Sequence, residues 1–164
     1  MDELREPGYL LWSNTTDIVM LNIIGVVICL YSLYIEVNKE RNPNYRALCD
    51  FNEHMSCSKV LTSEYSIGFG FMHLLLGKNH ALNARNCNIG LVVYVTNLLM
   101  CLVLPIPLAT TVMFYCSIVS VLGCVYLAFI LFVILKDICV VCISMYVVNG
   151  YLLYLTYQAH KFYH

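Results

Sequence analysis

Residues 86–135, "NCNIGLVVYVTNLLMCLVLPIPLATTVMFYCSIVSVLGCVYLAFILFVIL", contain no Asp, Glu, Lys, Arg or His. A water-soluble domain cannot hide an uncharged run of this length, because part of its surface must face solvent. A bilayer can hold it, since about 20 apolar residues cross the hydrocarbon core as one helix. The stretch therefore predicts an integral membrane protein, with a helix break at the prolines of "PIP" (105–107).

The composition of the whole chain agrees with this prediction. Of its 164 residues, 60% are hydrophobic and 12% are charged, whereas ordinary soluble domains carry about 25% charged residues. The formal net charge is −1, and nothing in the sequence indicates that it binds nucleic acid.

Charged and polar segments divide the chain into four apolar spans, which predict an all-α fold. These spans lie at about 18–35, 88–108, 109–135 and 138–157. A large loop over 36–87 joins the first two. We expect residues 1–164 to form a single membrane domain, a bundle of four transmembrane helices.

The large loop contains one apolar stretch, "YSIGFGFMHLLLG" (Tyr65–Gly77). It is too short to cross a bilayer, and apolar segments of this length are more often interfacial or re-entrant. We therefore expect the loop to contain short interfacial or re-entrant helices that lie against the bundle.

The number of spans places four cysteines on one side of the membrane. With four spans, the loop between the first and second shares a face with the turn between the third and fourth. Cys49 and Cys57 of the loop therefore face the same compartment as Cys139 and Cys142. The positive-inside rule favours the cytosol for this loop, which holds six Lys and Arg. The cysteines favour an oxidising lumen.

Cys139 and Cys142 form a C-x-x-C motif at the start of the last span. The positive end of a helix dipole stabilises a thiolate, which is the nucleophilic form of cysteine. Asp137 has the residue type of a helix N-cap. The spacing and position favour a redox pair over a structural disulfide or two unrelated core cysteines.

Cys49 and Cys57 are spaced C-x7-C in "CDFNEHMSC". They fit a structural disulfide of the loop, or a shuttle pair that passes electrons to the C-x-x-C by disulfide exchange. Zinc sites use closer pairs, usually C-x2–4-C, so we predict no metal site.

Polar residues near the thiols and inside the spans suggest two further roles. Asn86 and Tyr146 would individually fit a helix cap and a membrane-interface residue. Together, beside a thiol pair, they would fit the binding of a carbonyl or epoxide oxygen. Asn22, Asn97 and Asn149 lie inside spans, and we expect them to bridge helices.

Several motifs occur here in the order found in one known family. They are "YRALCD" (45–50), "SCSKV" (56–60), "GFG" (68–70), Asn86 three residues after "LN", and "CVVC" (139–142) followed by Tyr146. The chain resembles the vitamin K epoxide reductase family over nearly its whole length. This resemblance implies a four-helix bundle in the endoplasmic reticulum membrane, with the large loop in the lumen.

The resemblance also implies an activity: reduction of vitamin K 2,3-epoxide to the quinone, and of the quinone to hydroquinone. Cys139 and Cys142 would be the active-site pair, with Cys142 the thiolate that meets the substrate. Cys57 would exchange with Cys139, and Cys49 would receive electrons from a lumenal thioredoxin-like or protein disulfide isomerase-type partner. No cofactor would be permanently bound beyond the redox-active disulfides.

The resemblance further assigns a substrate pocket. Asn86 and Tyr146 would hydrogen-bond the naphthoquinone oxygens, and likewise coumarin inhibitors such as warfarin. Leu61, Ile89 and Val93 would line this pocket at positions where we expect aromatic residues in the family. The chain also has Tyr65, Ile67 and Cys87 where the family usually has Trp, Arg and Ser.

Two other functions fit the same residues. In a quinone-coupled enzyme that generates disulfides, electrons would flow in the opposite direction. A non-catalytic four-span protein would use its loop disulfide only for structure.

Overall fold

The computed structural model describes residues 7–52, 54–70 and 84–163. Four long helices dominate it: α1 (Pro7–Arg41), α3 (Asn86–Val103), α4 (Ile106–Phe129) and α5 (Val140–Tyr163). A π-helical segment, Ile130–Leu135, continues α4. The loop between α1 and α3 contains a short helix, α2 (Cys57–Leu61), and two 3-10 turns, Glu64–Ser66 and Gly68–Gly70.

The predicted all-α membrane architecture is confirmed. Four helices are long and apolar enough to cross a membrane, and they contain residues 14–41, 86–103, 106–135 and 140–162. No strand occurs among the described residues. The chain is a multi-pass membrane protein. Residues 71–77 of the apolar loop stretch lie outside the described residues.

The helices differ from the predicted spans at their ends. Helix α1 continues through Asp17 and Glu36, because a charged residue ends an apolar run without ending a helix. Helix α3 ends at Val103, and α4 already begins at Ile106 with Pro107 in its first turn. Proline is tolerated there because the first N–H groups of a helix have no intrahelical partner.

Polar side chains connect the spans inside the bundle, as the sequence predicted. Asn97 Nδ2 of α3 donates a hydrogen bond to Asn22 Oδ1 of α1 at 3.1 Å. Asn149 Nδ2 of α5 donates to the Tyr94 hydroxyl of α3 at 2.8 Å. Both bonds lie in buried positions, where an unpaired amide would be costly. The predicted bridging role of Asn22, Asn97 and Asn149 is confirmed.

Two hydrophobic clusters organise the packing. One lies in the middle of the bundle around Tyr94 and Met113. The second joins the loop to the start of α5 and contains Cys49, Cys57 and Cys139. The second cluster therefore brings the loop cysteines to the C-x-x-C.

Candidate functional site

Cys139 is the N-cap of helix α5. Its carbonyl accepts the first helical hydrogen bond from the Ile143 N–H at 3.0 Å, and its sulfur accepts the Cys142 N–H at 3.3 Å. These two bonds define an N-cap. Asp137, which the sequence suggested for this role, pairs instead with Lys59 at 2.8 Å.

The two sulfurs of the C-x-x-C interact directly. The Cys142 thiol donates to Cys139 Sγ, and the sulfurs lie 2.6 Å apart. This hydrogen bond lowers the pKa of Cys139; burial acts in the opposite direction, and the N–H groups of Cys142 and Val141 add to the lowering. Within the reduced pair, Cys139 is therefore the thiol that ionises more readily.

Cys49 and Cys57 form a disulfide in the loop, with their Cα atoms 5.8 Å apart. Asp50 organises the surrounding turn. One of its oxygens accepts from Ser56 Oγ and the Ser58 N–H, both at 2.9 Å. The other accepts from Ser58 Oγ at 2.6 Å and from the Ala47 N–H at 2.7 Å. Burial acts to raise the pKa of Asp50, but these hydrogen bonds outweigh it and lower the pKa.

The structure brings together the four cysteines that the span count placed on one side. Cys57 and Cys139 are both completely buried, and they share one cluster with Cys49. Cys142 packs at the edge of that cluster. The loop disulfide and the free C-x-x-C pair are therefore neighbours, as disulfide exchange requires.

A cavity of about 330 Å³ lies between the four long helices and is largely apolar. Cys142 lines it, together with all five residues predicted for the substrate pocket: Leu61, Asn86, Ile89, Val93 and Tyr146. Cys139 is not among the lining residues. The two thiols of one motif thus face different surroundings, one the cavity and the other the loop disulfide.

Asn86 holds the loop against the cavity. Its Nδ2 donates to the Tyr65 carbonyl at 2.7 Å, and its Oδ1 accepts the Phe69 N–H at 3.0 Å. Phe69 has a φ of 54°, a left-handed conformation that costs a non-glycine residue roughly 1–2 kcal/mol. Asn86 therefore fixes a strained turn that lines the cavity.

The Tyr146 hydroxyl is placed differently from the Asn86 amide. Tyr146 follows Cys142 by one helical turn, and both residues line the cavity. Within the described parts of the chain, no hydrogen bond to its hydroxyl is found, so this group can donate to a molecule in the cavity.

Several cavity residues were not predicted from the sequence. Glu36 is buried in the lining, and Arg85 Nε lies 3.3 Å from its carboxylate. Arg85 Nη2 also pairs with Glu40 at 2.6 Å. In the sequence Glu36 only marked the end of the first apolar span, and no local pattern placed it in a cavity. Cys29 and Cys124 also line the cavity.

The structure does not bring a metal-ligand set together in the part that it describes. No group of three His, Cys, Asp or Glu side chains there is placed to hold an ion. Cys49 and Cys57 are joined to each other, which removes both thiolates from metal binding in this state.

Comparison with known proteins gives a consistent result. The sequence profile of the Vitamin K epoxide reductase family matches residues 17–157. The chain is 40% identical to vitamin K epoxide reductase complex subunit 1 of Rattus norvegicus over 155 residues, covering 94% of this chain and 91% of the rat protein. It is also 40% identical to the protein of that name from Mus musculus over 139 residues, covering 84% and 85% of the two chains.

Proposed function

The chain belongs to the vitamin K epoxide reductase family, and from this premise and the site geometry we propose that it reduces vitamin K 2,3-epoxide to the quinone and the quinone to hydroquinone. The reductant is the thiol pair of Cys139 and Cys142. Relatives with 40% identity over most of their length bear the name of this activity.

One observation carries the proposal: Cys142 lines an apolar cavity inside the bundle, while Cys139 lies buried beside the loop disulfide. An apolar cavity within a bundle of membrane-spanning helices suits a lipid-soluble ring. The cavity volume of about 330 Å³ falls within the range of small-molecule pockets, about 300–1,000 Å³.

The lining residues provide the binding contacts. Leu61, Ile89 and Val93 supply apolar surface for the naphthoquinone ring, and the Tyr146 hydroxyl donates to a ring oxygen. The Asn86 amide keeps a second N–H for another oxygen while it holds the Tyr65 carbonyl. A coumarin ring presents oxygens to the same groups, so we expect coumarins to compete with the substrate.

The chemistry follows from the shared proton of the two thiols. Cys139 takes the proton of Cys142, and the Cys142 thiolate attacks the epoxide ring, breaking a carbon–oxygen bond. A hydrogen-bond donor stabilises the charge that develops on oxygen. That oxygen takes up a proton, Cys139 gives up the proton that it took from Cys142, and the Cys139 thiolate then attacks the Cys142 sulfur. The disulfide forms, the carbon–sulfur bond breaks, and the oxygen leaves as water after a second proton from solvent reaches it. Two thiols have then supplied two electrons.

The loop pair restores the reduced state. Cys57 exchanges with Cys139, and Cys49 receives electrons from a thioredoxin-like or protein disulfide isomerase-type partner. Such a partner requires the loop to face an oxidising lumen. We therefore place residues 1–164 as one domain in the endoplasmic reticulum membrane, with the active site on the lumenal side.

Replacing Cys142 by Ser tests the proposal. The variant should lose epoxide and quinone reduction with dithiothreitol as reductant, because the attacking sulfur is gone. Cys116→Ser is the matched control, since Cys116 is partly buried on α4 and does not line the cavity. Full turnover in Cys142→Ser would exclude the thiol mechanism and would favour a non-catalytic role.

A further inference from the structure

The loop segment that carries Cys57 is docked on the turn that carries Cys139. The Ile138 N–H donates to the His54 carbonyl at 2.9 Å, and Met55 and Ile138 form a parallel β-bridge. These backbone contacts join residues 54–55 to the turn directly before α5. They bring the two chain segments together.

An ion pair adds a second connection between the same segments. Lys59 Nζ lies 2.8 Å from Asp137 Oδ2. Lys59 is two residues after Cys57, and Asp137 is two residues before Cys139. The ion pair and the bridge are thus two separate attachments between the segments that carry Cys57 and Cys139.

The burial of Asp137 at this position has a high desolvation cost. Its side chain is only 2% exposed, and Oδ1 has no hydrogen-bond partner among the described residues. The exposed His54 ring lies beyond hydrogen-bond distance of that oxygen, with Nδ1 4.0 Å away. A buried carboxylate that is only half satisfied costs more in desolvation than an apolar residue of similar size. A contribution to stability therefore does not explain why Asp137 occupies this position.

We propose that the Lys59–Asp137 ion pair positions Cys57 for disulfide exchange with Cys139. This inference rests on the proposed function, because it concerns the step that recharges the active-site pair. Asp137 and Lys59 are positioning residues: they touch neither the substrate nor the reacting sulfurs.

The exchange itself is balanced within the chain. The Cys57 thiolate attacks Cys139 Sγ of the oxidised C-x-x-C, the Cys139–Cys142 bond breaks, and Cys142 leaves as a thiolate. Cys49 then attacks Cys57, which forms the Cys49–Cys57 disulfide and releases Cys139. Two electrons have moved to the active-site pair, and a dithiol partner reduces the loop disulfide again. The structure, with the loop pair joined and the C-x-x-C free, corresponds to the end of this sequence.

The experiment traps the intermediate. In a Cys49→Ala, Cys142→Ala background, a Cys57–Cys139 disulfide has no thiol that can resolve it. Oxidised glutathione serves as the oxidant, and peptide mass spectrometry without reductant follows the rate at which the Cys57–Cys139 disulfide forms. Asp137→Asn, nearly isosteric, and Lys59→Met should each slow it about tenfold or more, because small misplacements of reacting groups are costly. The charge-exchanged Lys59→Asp, Asp137→Lys chain should recover most of the rate.

A second measurement separates positioning from general damage to the fold. With all cysteines present, Asp137→Asn and Lys59→Met should lower turnover driven by a thioredoxin-like dithiol protein. Turnover with dithiothreitol, which reaches the active-site disulfide directly, should stay within about twofold, since no substrate-binding group has changed. Lys39→Met is the matched control; this lysine at the end of α1 donates to the Tyr45 carbonyl at 2.9 Å, and its replacement should affect neither rate.

Two results would overturn the inference. An unchanged trapping rate in both variants would show that the ion pair does not position Cys57, and an equal fall of both turnover rates would show general structural damage. Failure to trap any Cys57–Cys139 disulfide in the unsubstituted background would instead remove the relay of the proposed function, and this inference with it.

Discussion

Asp50 shows how one residue can hold the turn around a disulfide together. It sits directly after Cys49, and its two oxygens accept four hydrogen bonds from Ala47, Ser56 and Ser58. These bonds close the turn on both sides of the disulfide. The carboxylate therefore ties together the segments that carry Cys49 and Cys57.

Because hydrogen bonding favours the charged form, the contribution of Asp50 depends on pH. The stabilisation is complete above the unfolded pKa of about 3.9 and is lost as pH falls through the lower folded pKa. Asp50→Asn should lower the free energy of unfolding by about 1–3 kcal/mol at neutral pH, the usual cost of removing a charged hydrogen-bond partner. Thermal unfolding of both chains in detergent measures this difference in the free energy of unfolding.

The difference between Asp50→Asn and the parent chain should shrink as pH falls from 7 toward 3. Glu64→Gln is the control, because Glu64 is an exposed carboxylate in the same loop. A stability difference that stays constant across this pH range would contradict the role assigned to the Asp50 charge.

The sequence predicted the reacting residues better than the residues that support them. The C-x-x-C spacing and its place at a helix start indicated a redox pair, because both features are local. The partner of Asp137 is Lys59, and the partner of Glu36 is Arg85. Each pair joins residues far apart in the chain, so no local pattern indicates it.

At the scale of the elements, the helices are held together by few but buried polar contacts. The Asn22–Asn97 bond joins α1 to α3, and the Asn149–Tyr94 bond joins α5 to α3. Helix α1 also approaches α3 closely at Gly25, where a Cβ would lie 2.6 Å from Tyr94 ring atoms. These contacts therefore fix the position of helix α3 relative to both α1 and α5.

A double-mutant cycle on Asn22 and Asn97 tests whether their hydrogen bond stabilises the packing of α1 against α3. Asn22→Leu and Asn97→Leu should show a coupling of about 0.6–1.7 kcal/mol, the range for hydrogen bonds between membrane helices. The free energy of unfolding in mixed detergent is measured for the parent chain, the two single variants and the double variant. Strictly additive effects would show that the two amides do not stabilise the bundle through their mutual bond.

Helix existence was predictable from the apolar runs, but the helix ends were not. An apolar run reports the part of a helix that lies in hydrocarbon, whereas α1 extends beyond it at both ends. The break between α3 and α4 comprises only Leu104 and Pro105, and Pro107 already lies in the first turn of α4, because a proline can begin a helix as well as end one. Hydropathy contains no information on either point.

At the scale of the whole molecule, an even number of spans brings two distant cysteine pairs to one end of the bundle. In the proposed mechanism, their contact in one buried cluster gives electrons a short path from the loop to Cys139, and Cys142 carries them on to the cavity. The number of spans was available from the sequence. The cavity itself was not, since its walls come from all four long helices and from the loop.

This path predicts a difference between electron donors. Cys49→Ala should keep its activity with dithiothreitol, because this small dithiol reduces the Cys139–Cys142 disulfide without the loop. The same variant should lose turnover driven by a thioredoxin-like protein, which needs Cys49 as its entry point. Parallel assays of epoxide reduction measure both. Equal loss with the two donors would contradict the relay.

In the proposed mechanism, Cys142 attacks the substrate and Cys139 releases the product. In a Cys139→Ala variant the covalent intermediate cannot be resolved, so the substrate should remain attached to Cys142. The chain is incubated with vitamin K quinone and quenched in acid, and peptide mass spectrometry locates the added mass. The account predicts the adduct on Cys142 in Cys139→Ala and none on Cys139 in Cys142→Ala. An adduct on Cys139, with Cys142 unmodified, would contradict it.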